Sequence, residues 1–246
     1  MIRYKLTIEY DGTPFFGWQK QDDVPSVQGA LERAATALDG RPVVVQGAGR
    51  TDAGVHALAQ VAHLDMQRRL ASDRLRDALN HHLRPDPVAV ICAEEVDEDF
   101  HARFSATARH YLYRICARRS PLTLDKGKLW RIPRKVDVSA MDRAAQFLIG
   151  EHDFSTFRDS DCQAKSPIKT IDRCDVIQIG DEIQVVCEAR SFLHSQVRSI
   201  VGSLIQVGIG KWDEQDFLNA LNAADRSACG PVAPACGLYL TKVLYI

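Results

Sequence analysis

Residues 47–57 read Gly47-Ala48-Gly49-Arg50-Thr51-Asp52-Ala53-Gly54-Val55-His56-Ala57, and residues 58–65 continue Leu58-Ala59-Gln60-Val61-Ala62-His63-Leu64-Asp65. Three glycines close together mark an irregular segment. Val43-Val44-Val45 before it opens a strand over 43–46, and the alternating run over 57–65 predicts another. The loop is thus held at both ends by a sheet. Arg50 and Asp52 at its centre send their side chains to one face if the stretch is extended. A neighbouring guanidinium favours the ionised carboxylate, the state a nucleophile or base needs. An Asp beside Thr and near Gly also serves in plain turns, where its carboxylate bonds local amides, and these residues alone leave both roles open. A phosphate cradle is excluded: no Gly-Lys-Ser or Gly-Lys-Thr is present, and Gly47-x-Gly49 lacks the third glycine of a dinucleotide fingerprint.

Upstream, a strand over 3–10 places Tyr4, Leu6, Ile8 and Tyr10 on one face, and Asp11-Gly12-Thr13-Pro14 ends it. Phe15, Phe16 and Trp18 form an aromatic cluster read as packing. Ser26 caps a helix through 38 with Val27, Leu31, Ala34, Ala35 and Leu38 on one side, stopped by Asp39-Gly40-Arg41-Pro42. Downstream, Ser72 caps a helix to about residue 82, and a strand at 88–92 closes the first half, which ends in the acidic run 94–99. The second half repeats this order. It has a strand over 108–117, a helix over 138–150 with Met141, Ala144, Ala145 and Leu148 on one face, and a hairpin of 171–179 and 183–189 around Gly180-Asp181. An apolar helix over 192–207, a short extra helix over 213–223 and a final strand over 237–246 complete it. Element order therefore predicts an α+β fold of two ferredoxin-like βαββαβ subdomains, 1–104 and 105–246, each an antiparallel sheet backed by helices. The long connections 118–135 and 152–170 are candidates for substrate contact.

The chain has 246 residues, enough to bury one large core or two small ones, and its 46% hydrophobic and 26% charged residues exclude disorder. No apolar run reaches the roughly 18 residues that span a bilayer, and Met1 to Lys5 lead directly into a strand pattern, so no membrane association and a cytoplasmic location are expected. The 7 cysteines form no Cys-x-x-Cys pair, and the histidines show no zinc-protease spacing, so neither a disulfide framework nor a metal site is expected. Net charge is only -1. Its distribution is more informative: residues 85–100 carry acids and no Lys or Arg, whereas 101–135 are rich in Lys and Arg against the single acid Asp125. A basic run is usually a solvated face, but this one is interleaved with Phe104, Tyr111, Tyr113 and Trp130, the mixture of cations and stacking rings that RNA binding uses.

The run from Gly49 to His56 closely resembles the signature of the bacterial tRNA pseudouridine synthase A family. Further blocks extend the resemblance over nearly the whole chain: Glu9-Tyr10-Asp11-Gly12, Phe16-Gly17-Trp18-Gln19, residues Phe100-His101-Ala102-Arg103-Phe104-Ser105-Ala106-Thr107-Ala108-Arg109, Tyr111-x-Tyr113, Phe192-Leu193 with Val197-Arg198 and Val201-Gly202, and Gly237-Leu238-Tyr239-Leu240. The resemblance implies isomerisation of uridines 38, 39 and 40 in the tRNA anticodon stem-loop. It also implies sheets side by side with an active-site cleft between them, a homodimer, and Asp52 as the catalytic carboxylate. Arg50 would fill the space left by the flipped base or hold a phosphate, and Tyr111 would stack on the uracil. Arg198, a lone cation in an apolar helix, would pair with Asp52; it could also reach solvent along its stem. The chain departs from the family at Gln196, where Met is common, and at Leu83-Arg84-Pro85-Asp86-Pro87, one residue longer than usual.

An isomerisation of this kind needs no redox, hydrolytic or phosphoryl step and hence no cofactor. Phe100, His101, Ala102, Arg103, Phe104, Arg109, Arg114 and Arg119 are candidate RNA contacts, with Arg118 a further phosphate candidate. Two other functions compete. A tandem RNA-binding protein without catalysis would use the same sheets, but gains nothing from Asp52 and lacks the aromatic signature of such domains. A thiol enzyme would use Cys162, Cys229 or Cys236.

Overall fold

A computed structural model describes residues 1–246. In chain order the elements are β1 (Ile2–Tyr10), α1 (Val27–Asp39), β2 (Val45–Gly47), β3 (His56–Met66), α2 (Ser72–Leu83), β4 (Val88–Val96), β5 (Ala106–Cys116), β6 (Trp130–Arg131), α3 (Val138–Gln146), β7 (Gly150–Asp153), β8 (Ile168–Ile179), β9 (Glu182–Ala189), α4 (Gln196–Gly208), α5 (Glu214–Ala223) and β10 (Leu238–Tyr245). No helix is long and apolar enough to cross a membrane. The chain divides into two compact units, Met1–Thr107 with Tyr239–Ile246, and Ala108–Leu238.

The first unit has the expected βαββαβ order, and its antiparallel strands lie β4-β1-β3-β2, the ferredoxin-like arrangement. The period-two pattern of β1 is realised directly: Tyr4, Leu6, Ile8 and Tyr10 are all buried. Ser26 caps α1 by accepting the Gly29 N–H, and Gly40, at φ 79°, closes it in the left-handed region where a side chain would be strained. Ser72 does not cap α2. It is the first helical residue, and the capping position falls to Ala71, which offers no side-chain acceptor. Strand β4 runs through Glu94 and Glu95 to Val96 because their charges meet cations on neighbouring elements: Lys5 reaches Glu94 and Arg69 reaches Glu95, each at 2.8 Å.

The last strand, β10, expected with the second subdomain, pairs in parallel with the start of β3, Tyr239 opposite His56 and Leu240 opposite Ala57, and clusters with the first unit from Tyr239 onward. Its two tyrosines explain the placement. The Tyr239 ring stacks on His56 at 4.8 Å, and Tyr245 donates its hydroxyl to the Ala102 carbonyl and meets the Phe100 ring.

In the second unit the order is β5-β9-β8-β7, with β6 added in parallel at the end of β5. The predicted helix over 138–150 stops at Gln146, and Gly150, at φ 102°, opens the unforeseen strand β7. Leu148 stays fully buried beyond the helix end, so the periodic apolar signal outlasts the helix. Helix α4 begins at Gln196, not 192, because Ser195 takes a left-handed conformation, φ 55°. The extra helix α5 is capped by Asp213, with Asp216 closing a capping box.

Candidate active site

The loop that carries Asp52 lies between β2 and β3 and is clamped by the segment leaving β1. Tyr10, fully buried at the end of β1, places its hydroxyl 2.8 Å from Thr51 Oγ1. Burial pushes the phenol up to about 12, against the opposing effect of hydrogen bonds to Thr51 and Gln60, so it stays a protonated structural link. Gln60 in turn donates to the Gly49 carbonyl at 2.9 Å. Trp18 N–H donates to the Thr51 carbonyl, and Gly54 N–H donates to the Phe15 carbonyl.

Two close approaches lock the segments together. A Cβ on Gly12 would stand 2.0 Å from the Val55 carbonyl oxygen, and one on Gly17, at φ 95°, would stand 2.6 Å from that of Thr51. Only glycine fits at either position. The Asp52 carbonyl accepts the Val55 N–H at 3.1 Å, so the turn reading holds for the backbone, while the Asp52 side chain remains part-exposed. Arg50, two residues before Asp52, is exposed. Sequence reading did not assign site roles to Tyr10, Gln60, Gly12 and Gly17. Each acts on a loop residue some 10 to 45 positions away.

In the second unit, Tyr111 faces the buried side of β5, and its ring meets Phe192 edge-on at 5.2 Å. Phe192 sits in the turn before α4. Six residues along, in the first turn of α4, Arg198 donates from Nε to the Ala233 carbonyl at 2.9 Å, and the Ala233 N–H returns a bond to the Arg198 carbonyl. Gly202 permits this seating of α4, since a Cβ there would fall 1.7 Å from the Pro231 oxygen. Tyr113, next on the same face, is fully buried and donates to the Pro234 carbonyl at 2.7 Å.

The candidate RNA contacts separate by burial. Phe104 is 73% exposed, flanked by the His101 ring at 4.4 Å and by the Arg103 guanidinium at 5.7 Å. Arg119 is also exposed. Ala102 is fully buried, its N–H bonded to His63 Nδ1 and its carbonyl to Tyr245, and the Phe100 carbonyl accepts from Arg3. Arg109 is 8% exposed and donates to the Arg190 carbonyl, and Arg114 forms a bidentate pair with Glu182 at 2.8 Å in both arms. That pair holds the Glu182 carboxyl below its usual range. These two arginines therefore stabilise the strand frame. Arg118 donates to the Pro121 carbonyl while its Nε is buried without a hydrogen-bond partner.

The three candidate thiols are engaged by their neighbours. Cys162 Sγ accepts the His194 N–H, Cys229 Sγ lies 3.6 Å from Ser203 Oγ, and Cys236 donates toward the Leu129 carbonyl, with burial pushing its thiol up. For Cys236 that burial disfavours the thiolate, the form that acts as a nucleophile. No group of three His, Cys, Asp or Glu side chains has metal-ligand geometry.

The first unit carries a glycine-clamped aspartate on a ferredoxin-like sheet, and the second carries a buried tyrosine and a helix-borne arginine. The sequence model of the tRNA pseudouridine synthase family matches residues 6–105 and 144–245, and the chain belongs to that family. The matched segments contain Arg50, Asp52, residues 100–104 and Arg198; Tyr111 lies outside them. Among curated relatives, the tRNA pseudouridine synthase A of Maricaulis maris (strain MCS10) is 66% identical over 245 residues, covering 100% of this chain and 98% of that protein. Those of Rhodopseudomonas palustris (strain BisA53) and Afipia carboxidovorans are 64% and 63% identical, with both chains covered in full.

Proposed function

We propose that this protein converts uridine to pseudouridine at positions 38, 39 and 40 of the tRNA anticodon stem-loop, with Asp52 as the catalytic carboxylate. The reaction breaks the bond from ribose C1' to uracil N1, turns the base, and joins C1' to C5. The C5 proton is then removed and N1 gains one, so no atom is lost. Asp52 serves by attacking C1' or by taking a proton from C2'. A base inside a stem is extruded first, at a cost of a few kcal/mol. Arg50, exposed beside Asp52, takes the vacated space or a phosphate; Tyr111 stacks on the uracil; Arg198 supports the carboxylate as its cationic partner. Arg103, Phe104 and Arg119 are RNA contacts on the strength of their exposure, with half-buried His101 joining through its ring contact to Phe104, whereas Phe100, Ala102, Arg109 and Arg114 act through the frame.

The observation that carries this reading is the immobilised, part-exposed Asp52 within a chain of this family. The test compares wild type with Asp52→Ala on unmodified tRNA, mapping pseudouridine by nucleotide and measuring tRNA affinity at one salt concentration. Pseudouridine at 38–40 should vanish while binding persists. Normal modification by the variant would remove Asp52 from the mechanism. With tRNA as substrate, the cytoplasm is the working compartment. The enzyme acts as a homodimer, for which sedimentation should return twice the 27.4 kDa chain mass.

A further inference from the structure

We infer that His56 is a positioning residue for the reaction. It holds Asp52 in place through the backbone of Gly12, and this role rests on the assignment of Asp52 as the catalytic carboxylate. His56 is 1% exposed and opens β3, four residues after Asp52. Its Nδ1 accepts the Gly12 N–H at 3.0 Å, and its ring lies against Tyr239, 4.8 Å between centroids and 24° between planes. The Asp11 carboxylate lies 3.1 Å from the same nitrogen and also accepts from the Thr13 N–H and hydroxyl.

The bond to Gly12 matters because of what Gly12 touches. Gly12 has no room for a Cβ against Val55, and its carbonyl accepts the Phe15 N–H, whose own residue accepts from Gly54. His56 thus joins the chain leaving β1 to the far end of the Asp52 turn, while Tyr10 and Thr51 join the near end. Removing the nitrogen leaves a buried donor without a partner and releases one side of the clamp. A shift of about 1 Å at a reacting group costs on the order of a hundredfold in rate.

Two substitutions separate the hydrogen bond from the ring. His56→Phe keeps a ring for Tyr239 and deletes the acceptor. His56→Asn loses the ring but offers Oδ1 at the position of Nδ1, one bond beyond Cγ. At saturating tRNA, His56→Phe should lower kcat about a hundredfold with tRNA affinity unchanged, and His56→Asn should recover most of the rate. Should His56→Phe fail to fold by thermal melting, the rate of His56→Asn decides alone. Wild-type kcat in His56→Phe, or kcat in His56→Asn reduced as far as expected for His56→Phe, overturns the positioning role. Asp52→Ala measured in parallel separates the two assignments. An inactive Asp52→Ala beside a fully active His56→Phe removes only the role of His56, whereas an active Asp52→Ala removes both.

Discussion

Asp52 rides on an irregular loop, whereas Tyr111 and Arg198 ride on regular elements, β5 and α4. A strand or helix supports its own geometry through its ladder of backbone bonds. A loop has no ladder, and the Asp52 loop takes its shape from a second segment, residues 10–18, through hydrogen bonds to Thr51, Gly54 and His56 and through two glycines that admit a carbonyl where a Cβ would be. The difference teaches where the site is brittle. On the loop side, a single added methyl group displaces the turn that carries Asp52; on the element side, side chains can be trimmed while the backbone stays put.

Gly12→Ala should break this contrast most severely. Its methyl would meet the Val55 oxygen at 2.0 Å, an overpacking that costs about 1–3 kcal/mol or more. The melting temperature should fall and pseudouridine formation should drop by at least about a hundredfold. Gly49→Ala, with nothing within 4 Å of its added carbon, should change stability by less than about 0.5 kcal/mol. Equal effects of the two alanines would show that the loop is not clamped.

On the element side, Tyr111→Ala should lower kcat/KM about tenfold to a hundredfold, the range of a lost base stack, whereas Tyr111→Phe should stay within about threefold. A Phe variant as impaired as Ala would transfer the role from the ring to the hydroxyl.

A smaller effect concerns His63, beneath the exposed Phe104 patch. Burial first, with the nearby His101 and Arg3 charges, pushes it down to about 4, and its Nδ1 accepts the Ala102 N–H as a neutral ring does. An unfolded histidine titrates near 6.5. Between those values the unfolded chain binds more protons, so this contribution to stability is complete above about pH 6.5 and is lost as pH falls toward 4. Melting curves of His63→Asn should therefore depend less on pH than wild type between 6.5 and 4; parallel curves would contradict the assignment. The smallest change is electrostatic. Arg103→Gln should reduce the salt slope of tRNA binding by about one unit, and Arg114→Gln, whose guanidinium is held by Glu182, should leave it unaltered.

Much of the site was legible because its signals are local. The motif around Asp52 carries the family resemblance, and Gly54, at φ 77°, marks a turn as its identity predicts. The fates of the arginines were not legible. Arg103 and Arg109 look alike in sequence, yet one is exposed and the other 8% exposed and bonded to a backbone carbonyl 81 residues away. Gly12 and Gly17 likewise read as ordinary turn residues until the opposing carbonyls are seen.

The sequence by itself determined the inward face of β1, the Ser26 and Gly40 ends of α1, the βαββαβ order of the first unit, and membership of the family. All of these depend on side-chain periodicity, capping and motif, which act within a few residues. Tertiary structure alone decided that β10 joins β3 and that a left-handed Ser195 delays α4. It also decided which cations are already neutralised and why His56 and Gly12 must meet. Those outcomes turn on burial and on hydrogen-bond partners distant in the chain, and a hydrogen bond has no meaning until both of its ends are in place.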